Sequence, residues 1–321
     1  MRIAIFGSGG VGGYFGGRLV QAGEDVVFIA RGAHLEAMRE DGLRVDSIKG
    51  DFVAKPVNAT ADPAEAGPVD VILVGVKAGQ VEEAAHAMRP MVGEETFVVP
   101  LQNGVEAPAQ LARVLGPEHV LGGFCGLMIY VAGPGHICHA GIEPFIQFGE
   151  LDNQPSPRVA ALERAFANTQ GLTVTVPADI EAAMWRKFIF VAAWGAVGAV
   201  TRAPAGVLRK RAETRELMSR AVQEICDVGR ARNVSLDPEI MEKTMQTVDA
   251  LPEAATASMQ REIMAGRPSE LEMQTGSVEM QTGSVVRLGR EAGVETPVNA
   301  VVYAALLPLE LRARGEVRFE D

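Results

Sequence analysis

The chain has 321 residues, 47% of them hydrophobic, and a formal net charge of -11 at pH 7. That length suits one large core or, on our reading, two moderate ones. The acidic balance argues against a nucleic-acid partner, whose phosphates demand a basic surface. No uninterrupted apolar run reaches the roughly 20 residues of a membrane span; the nearest, Phe188 to Val200, is shorter and broken by glycines. Cys125, Cys138 and Cys226 follow neither a metal-ligand spacing nor a disulfide framework, so a reducing cytoplasm is the expected location. The first residues already read as a core strand, so no signal peptide is expected.

Met1 to Phe6 is a short apolar run carrying Ile3 and Ile5, and Gly7, Gly9 and Gly12 then fall on the spacing G-x-G-x-x-G. A helix over Tyr14 to Ala22, a stop at Gly23 and a second apolar strand over Asp25 to Ala30 complete a β-α-β unit. In such a unit the first glycine permits the tight turn, the second lets backbone approach a pyrophosphate, and the third lets the helix lie close to the sheet. Gly7, Ser8, Gly9, Gly10, Val11 and Gly12 are therefore the expected dinucleotide cradle, with phosphate oxygens on free N–H groups at the helix start. The second strand runs out at Ala30-Arg31-Gly32, where an NAD site usually places an acid. An arginine cannot accept ribose hydroxyls but can grip a 2′-phosphate, so Arg31 points to NADPH.

An amphipathic segment follows over His34 to Arg39, then short strands from Gly42 to Lys55. Pro68 to Lys77 has the apolar pattern of a buried parallel strand, the fourth of the nucleotide half, from whose carboxyl end Lys77 and Gln80 can reach cofactor or substrate, against the plainer reading of a solvated lysine at a strand end. Val81 to Met88 reads as a helix and Thr96 to Leu101 as a strand, ending in Gln102-Asn103-Gly104; Asn103 there can bond cofactor or substrate. After a helix over Val105 to Leu115, strands and turns run from Val120 to Gly149. His136 and His139 lie among them without a third ligand at a suggestive interval, so no metal is expected. Pro155 to Gln170 is a helix, and Leu172 to Val176 a last strand that completes the first domain's sheet.

Past Pro177 the pattern turns almost wholly helical, over Ile180 to Val200, Glu213 to Asn233, Glu239 to Val248 and Pro252 to Ala265. The fold class is thus α/β: a Rossmann-type NADP-binding domain over residues 1–178, then a mostly helical substrate domain over residues 179–321. The catalytic cleft is expected between them. Apolar helices in the second domain make a homodimer reasonable. The sequence EMQTGSV occurs twice in succession, at Glu272 to Val278 and Glu279 to Val285. One extra copy turns a following helix by only about 20° while advancing it about 10 Å.

Nicotinamide chemistry needs a group that manages the proton on the substrate oxygen. Lys187, in AAMWRKF at the head of the apolar helix, is the candidate, against the plainer reading of a snorkelling surface lysine. Taken together, IFGSGGVGGYFGGRL, Arg31, VGVKAGQ, LQNGVE, AAMWRKF, RPSELEMQTG and VVRLGREAGVETPVN resemble the ketopantoate reductases (2-dehydropantoate 2-reductases) along essentially the whole chain. The resemblance implies a two-domain enzyme that reduces a 2-keto acid with NADPH. It further implies Lys187 as the catalytic lysine, Asn103 placing cofactor and substrate, Glu270 bonding the substrate's distal hydroxyl, and Ser258 near its carboxylate. Glu270 can also orient Lys187. In that family the lysine is followed four and eight residues later by asparagines on the same helix face; here those positions are Val191 and Gly195. A less polar 2-keto acid, a related β-hydroxyacid-type dehydrogenase, or a non-catalytic dinucleotide-binding protein are the competing expectations.

Overall fold

The computed structural model describes residues 1–271 and 281–319. The first EMQTGSV copy and the start of the second lie outside the described residues. The chain divides into two compact units: Met1–Gln102 with Glu106–Ile180, and Asn103–Val105 with the residues from Glu181 onward. The fold class is as expected, α/β followed by helix.

The first unit runs β1 (Arg2–Phe6), α1 (Gly10–Gln21), β2 (Asp25–Ile29), α2 (Gly32–Asp41), β3 (Leu43–Ser47), β4 (Phe52–Ala54), β5 (Asn58–Thr60), α3 (Pro63–Ala66), β6 (Val69–Val74), α4 (Val81–Met88), β7 (Val92–Pro100), α5 (Ala107–Leu115), β8 (Gly122–Gly133), β9 (His136–Gly149), α6 (Pro157–Phe166) and β10 (Thr173–Thr175). Its first sheet has the order β5-β2-β1-β6-β7, with every pair parallel. The order reverses beside β1, so the carboxyl ends of β1 and β6 open a crevice there. Parallel strands covered on both faces read as apolar runs because alternate residues enter different cores. Accordingly Ile3, Ile5, Val71 and Leu73 pack on the α1 side, and Ala4, Phe6, Ile72 and Val74 on the α4 side.

A second sheet, β10-β9-β3-β4 with β8 on β9, lies in the same unit. The Leu172 to Val176 segment goes here: Thr173 pairs with Phe145 of β9, not with the dinucleotide sheet. Its sequence encodes a strand but not a partner, which long-range register decides. The glycine-rich start of α1 is helical from Gly10, four residues earlier than the propensities suggest, because close packing outweighs their cost in the helix. A Cβ at Gly16 would stand 2.5 Å from Phe28.

The second unit holds α7 (Ile180–Thr201), α8 (Ala205–Lys210), α9 (Ala212–Ala231), α10 (Ile240–Ala250), α11 (Ser258–Met264), α12 (Thr282–Ala292) and α13 (Pro297–Ala313). The helix expected over Pro252 to Ala265 starts only at Ser258, since the backbone at Ala257 is extended. By length and composition α7 could cross a membrane, yet 67% of its most apolar window is buried in protein. Trp185, Phe188, Ile189, Ala192 and Ala193 pack against Met218, Val222 and Ile225 of α9. At roughly 1.5–3 kcal/mol per large apolar side chain, this burial rather than helix propensity holds α7.

Candidate active site

The dinucleotide cradle is built from backbone. Gly7 sits at φ +95°, and a Cβ there would lie 2.7 Å from the Val76 nitrogen. A Cβ on Gly12 would fall 2.2 Å from the Gly7 carbonyl oxygen and 2.7 Å from Ile5 Cγ2, whereas one on Gly9 would meet nothing within 4 Å. The turn and the helix approach thus require Gly7 and Gly12, and the open space lies over Gly9. Ser8 is buried, and its Oγ donates to the Ile29 carbonyl at 2.9 Å, so it ties the loop to β2 and offers a ligand only its main chain. No side chain caps α1, which leaves the amides around Gly10, Val11 and Gly12 for an anion to satisfy.

A cavity of about 570 Å³ opens onto this loop. Arg31, in extended conformation at the N-cap of α2, lines it along with His34, Gln80 and Glu83. The β8–β9 hairpin contributes Val131, Gly133 and Pro134. Lys77 stands at an exposed turn after β6; of the two polar side chains expected there, it is Gln80 that lines the cavity. Gln102 is structural: its Nε2 donates to the Val74 and Val76 carbonyls at 2.7 and 2.9 Å, pinning the end of β6.

His34 escaped the sequence reading. Its Nδ1 accepts from Gly135 N–H at 3.0 Å and its Nε2 lies 2.9 Å from the Ser8 carbonyl. The first bond makes Nδ1 an acceptor, so the second is a donation from Nε2–H, and neutral imidazole fastens the hairpin to the glycine loop. Only the fold brings residues 8, 34 and 135 together.

The second unit gathers a different group. Asn103 Nδ2 donates to Glu270 Oε2 at 3.0 Å, and Gln281 Nε2 donates to the same oxygen at 2.5 Å. Burial pushes the Glu270 carboxyl above its usual range, and the charge of Glu262 adds to this; the Asn103 and Gln281 amides and the Lys187 charge pull the other way. Lys187 is half-buried on α7, in electrostatic contact with Glu270. Val191 and Gly195 follow at i+4 and i+8, so they share the Lys187 face. Ser258 is exposed at the first position of α11. Asn103, Lys187 and Glu270 are therefore brought together, while Gln281 was not foreseen.

The expectation for the histidines needs an addition. His139 points inward, its Nδ1 2.8 Å from Ser47 Oγ. His136 faces out, with Nε2 2.8 Å from Asp46 Oδ2 and 3.8 Å from Cys138 Sγ. Asp46 comes from β3, which is why no sequence interval revealed it, and Arg44 grips the same carboxylate and holds its pKa down. Cys226 is buried, which pushes its thiol up to about 11 and makes it inert.

Two family models match, "Ketopantoate reductase PanE/ApbA" over residues 3–153 and its C-terminal counterpart over residues 179–310. The chain belongs to the ketopantoate reductase PanE/ApbA family. It is 29% identical to an uncharacterised oxidoreductase of Bacillus subtilis over 95% of this chain and 98% of that one. It is 31% identical to the 2-dehydropantoate 2-reductase of Halobacterium salinarum over 93% and 95%. The crystal structure of a PanE/ApbA family ketopantoate reductase from Ralstonia eutropha superposes with a TM-score of 0.85 at 31% identity, over 98% of this chain and all of that one. At the level of the family, the chain is an oxidoreductase that reduces 2-keto acids with a nicotinamide dinucleotide.

Proposed function

We propose that the chain reduces a 2-keto acid to the 2-hydroxy acid with NADPH, ketopantoate to pantoate being the leading reaction. The observation that carries this is the group in the helical unit: a half-buried lysine, a desolvated carboxyl and an amide converging from positions 187, 270 and 103. The cofactor, when bound, supplies the hydride. Lys187, as an ammonium ion, donates a hydrogen bond or proton to the substrate's carbonyl oxygen as it becomes an alkoxide. Asn103 fixes Glu270, and Glu270 takes the substrate's distal hydroxyl, with Ser258 assigned to the carboxylate end. For the cofactor, Gly7 to Gly12 offer main-chain amides to the diphosphate. Arg31 lines the cavity at the end of β2 and offers its planar fork to a 2′-phosphate. The cradle fits the group: the position that would clash with an approaching diphosphate, Gly9, is open.

A second reading has one observation behind it. Neither Val191 nor Gly195 gives the Lys187 face of α7 a hydrogen-bonding side chain, which favours a less polar 2-keto acid. Cofactor oxidation with NADPH and NADH, measured across ketopantoate and a series of increasingly apolar 2-keto acids, tests both. The leading reading expects the highest kcat/KM with NADPH and ketopantoate. Faster turnover of an apolar acid selects the second, and a silent panel removes both.

A further inference from the structure

Gly195 is not empty space. A Cβ there would stand 3.2 Å from Gln281 Oε1 and 3.2 Å from Met259 Cε. A side chain on the Lys187 face at this turn of α7 would therefore project into the volume that the Gln281 carboxamide fills. Gln281 is 3% exposed and sits at the N-cap of α12 with φ 42° and ψ -103°, a positive-φ conformation that residues other than glycine seldom adopt. Backbone held in such a region persists only where its surroundings demand it, and is a pointer to function. Its Nε2 donates to Glu270 Oε2, the oxygen that Asn103 also addresses.

We propose that Gln281 is a positioning residue of the site: its amide replaces, from α12, the one that α7 lacks at Gly195, and with Asn103 it clamps Glu270 Oε2 so that Oε1 is turned to a hydroxyl of the substrate. This rests on the 2-keto acid reductase reading above, and it narrows the substrate to 2-keto acids that carry such a hydroxyl. The two donors differ in origin: Asn103 follows a strand, and Gln281 opens a helix. Both converge on one oxygen because a carboxylate offers several lone pairs and accepts more than one donor. A Cβ at position 195 would make the Gln281 carboxamide and Met259 Cε give way by a few tenths of an ångström, and a longer side chain would compete with them for the same volume, so positions 195 and 281 act as an exchangeable pair.

The test uses the full chain with NADPH. Gln281→Ala is expected to lower kcat/KM for a hydroxylated 2-keto acid by about tenfold or more, chiefly through KM, with the Kd for NADPH unchanged. Gly195→Asn alone crowds Gln281 and is expected to lower it as well. Gly195→Asn placed in the Gln281→Ala chain returns an amide to the same volume and is expected to recover most of the loss. A second readout is independent of turnover: the carboxyl carbon-13 resonance of Glu270, assigned with Glu270→Gln. Its titration should move to higher pH in Gln281→Ala, because one donor to the carboxylate is gone while Glu262 and Lys187 still face it. Unchanged kinetics and an unchanged titration overturn the proposal, as does a loss that Gly195→Asn does not recover. If the wild-type chain reduces no 2-keto acid, the proposed reaction falls, and the titration still decides whether Gln281 holds Glu270.

Discussion

The cavity beside Gly7 to Gly12 and the group around Glu270 were assembled by different means. The first is anchored on a main-chain loop of one β-α-β unit, with walls added from α4 and the β8–β9 hairpin, and the loop's tolerances are steric: 2.2 Å of clearance at Gly12 admits hydrogen alone. The second is made of side chains from positions 103, 187, 270 and 281, and its tolerances are electrostatic, two amides and an ammonium offsetting the cost of a desolvated carboxyl. A steric site declares itself in local spacing, because only glycine satisfies it. An electrostatic one can exchange its donors between elements, as Gln281 and Gly195 illustrate, without leaving a local pattern.

The sharpest way to separate the two regions is Lys187→Ala. Turnover is expected to fall about 10²- to 10⁴-fold, the usual worth of a positioned acid, while the Kd for NADPH stays within error. Wild-type turnover in that variant rules out the lysine's role. Gly12→Ala strikes the other region. Its methyl group forces the loop apart, costing about 1–3 kcal/mol of stability, and the displaced cradle is expected to bind NADPH about a hundredfold more weakly. Titration of cofactor fluorescence and a thermal melt check both parts, and intact affinity would show that the loop does not carry the diphosphate. Arg31→Ala is smaller and selective: affinity for NADPH should drop about ten- to a hundredfold with NADH little affected. Equal losses for the two cofactors contradict a 2′-phosphate contact.

Glu270→Gln is the mildest for stability and has a defined sign. Burial raises the folded-state pKa of Glu270 above 4.5. Between the unfolded and folded values the folded chain holds a proton that the unfolded chain has lost, so stability falls as pH rises through that window and stays reduced above it. The amide variant has no charge to desolvate, and its melting temperature should be slightly higher at neutral pH with a flatter dependence on pH, while its reductase activity drops. A lower melting temperature at neutral pH would mean that the hydrogen bonds from Asn103 and Gln281 outweigh desolvation.

The legible parts of this protein were those with short-range causes. The glycine spacing, the helix after it, the apolar β6 and the change to helix after Pro177 each follow from sterics or periodicity within a few residues. The place of Arg31 beside the cavity belongs with them, since it needs only the end of β2. The partner of β10, the His34 bridge between Ser8 and Gly135, and the meeting of Asp46 with His136 lay beyond such reading, because each depends on which strands become neighbours. Glu270 was put forward through likeness to a family, and the burial that raises its pKa was not legible, since desolvation is a property of what surrounds the carboxyl.

The sequence by itself determined that the early glycine loop is a dinucleotide cradle and that a lysine stands within the apolar α7, for both depend on the covalent identity of adjacent residues. It offered Gln274 and Gln281 as identical members of a repeat, and the first of these lies outside the described residues. That Gln281 lies beside Gly195 and bonds Glu270 was decided only by the tertiary structure, because both contacts depend on which helices pack together and not on neighbours in the chain.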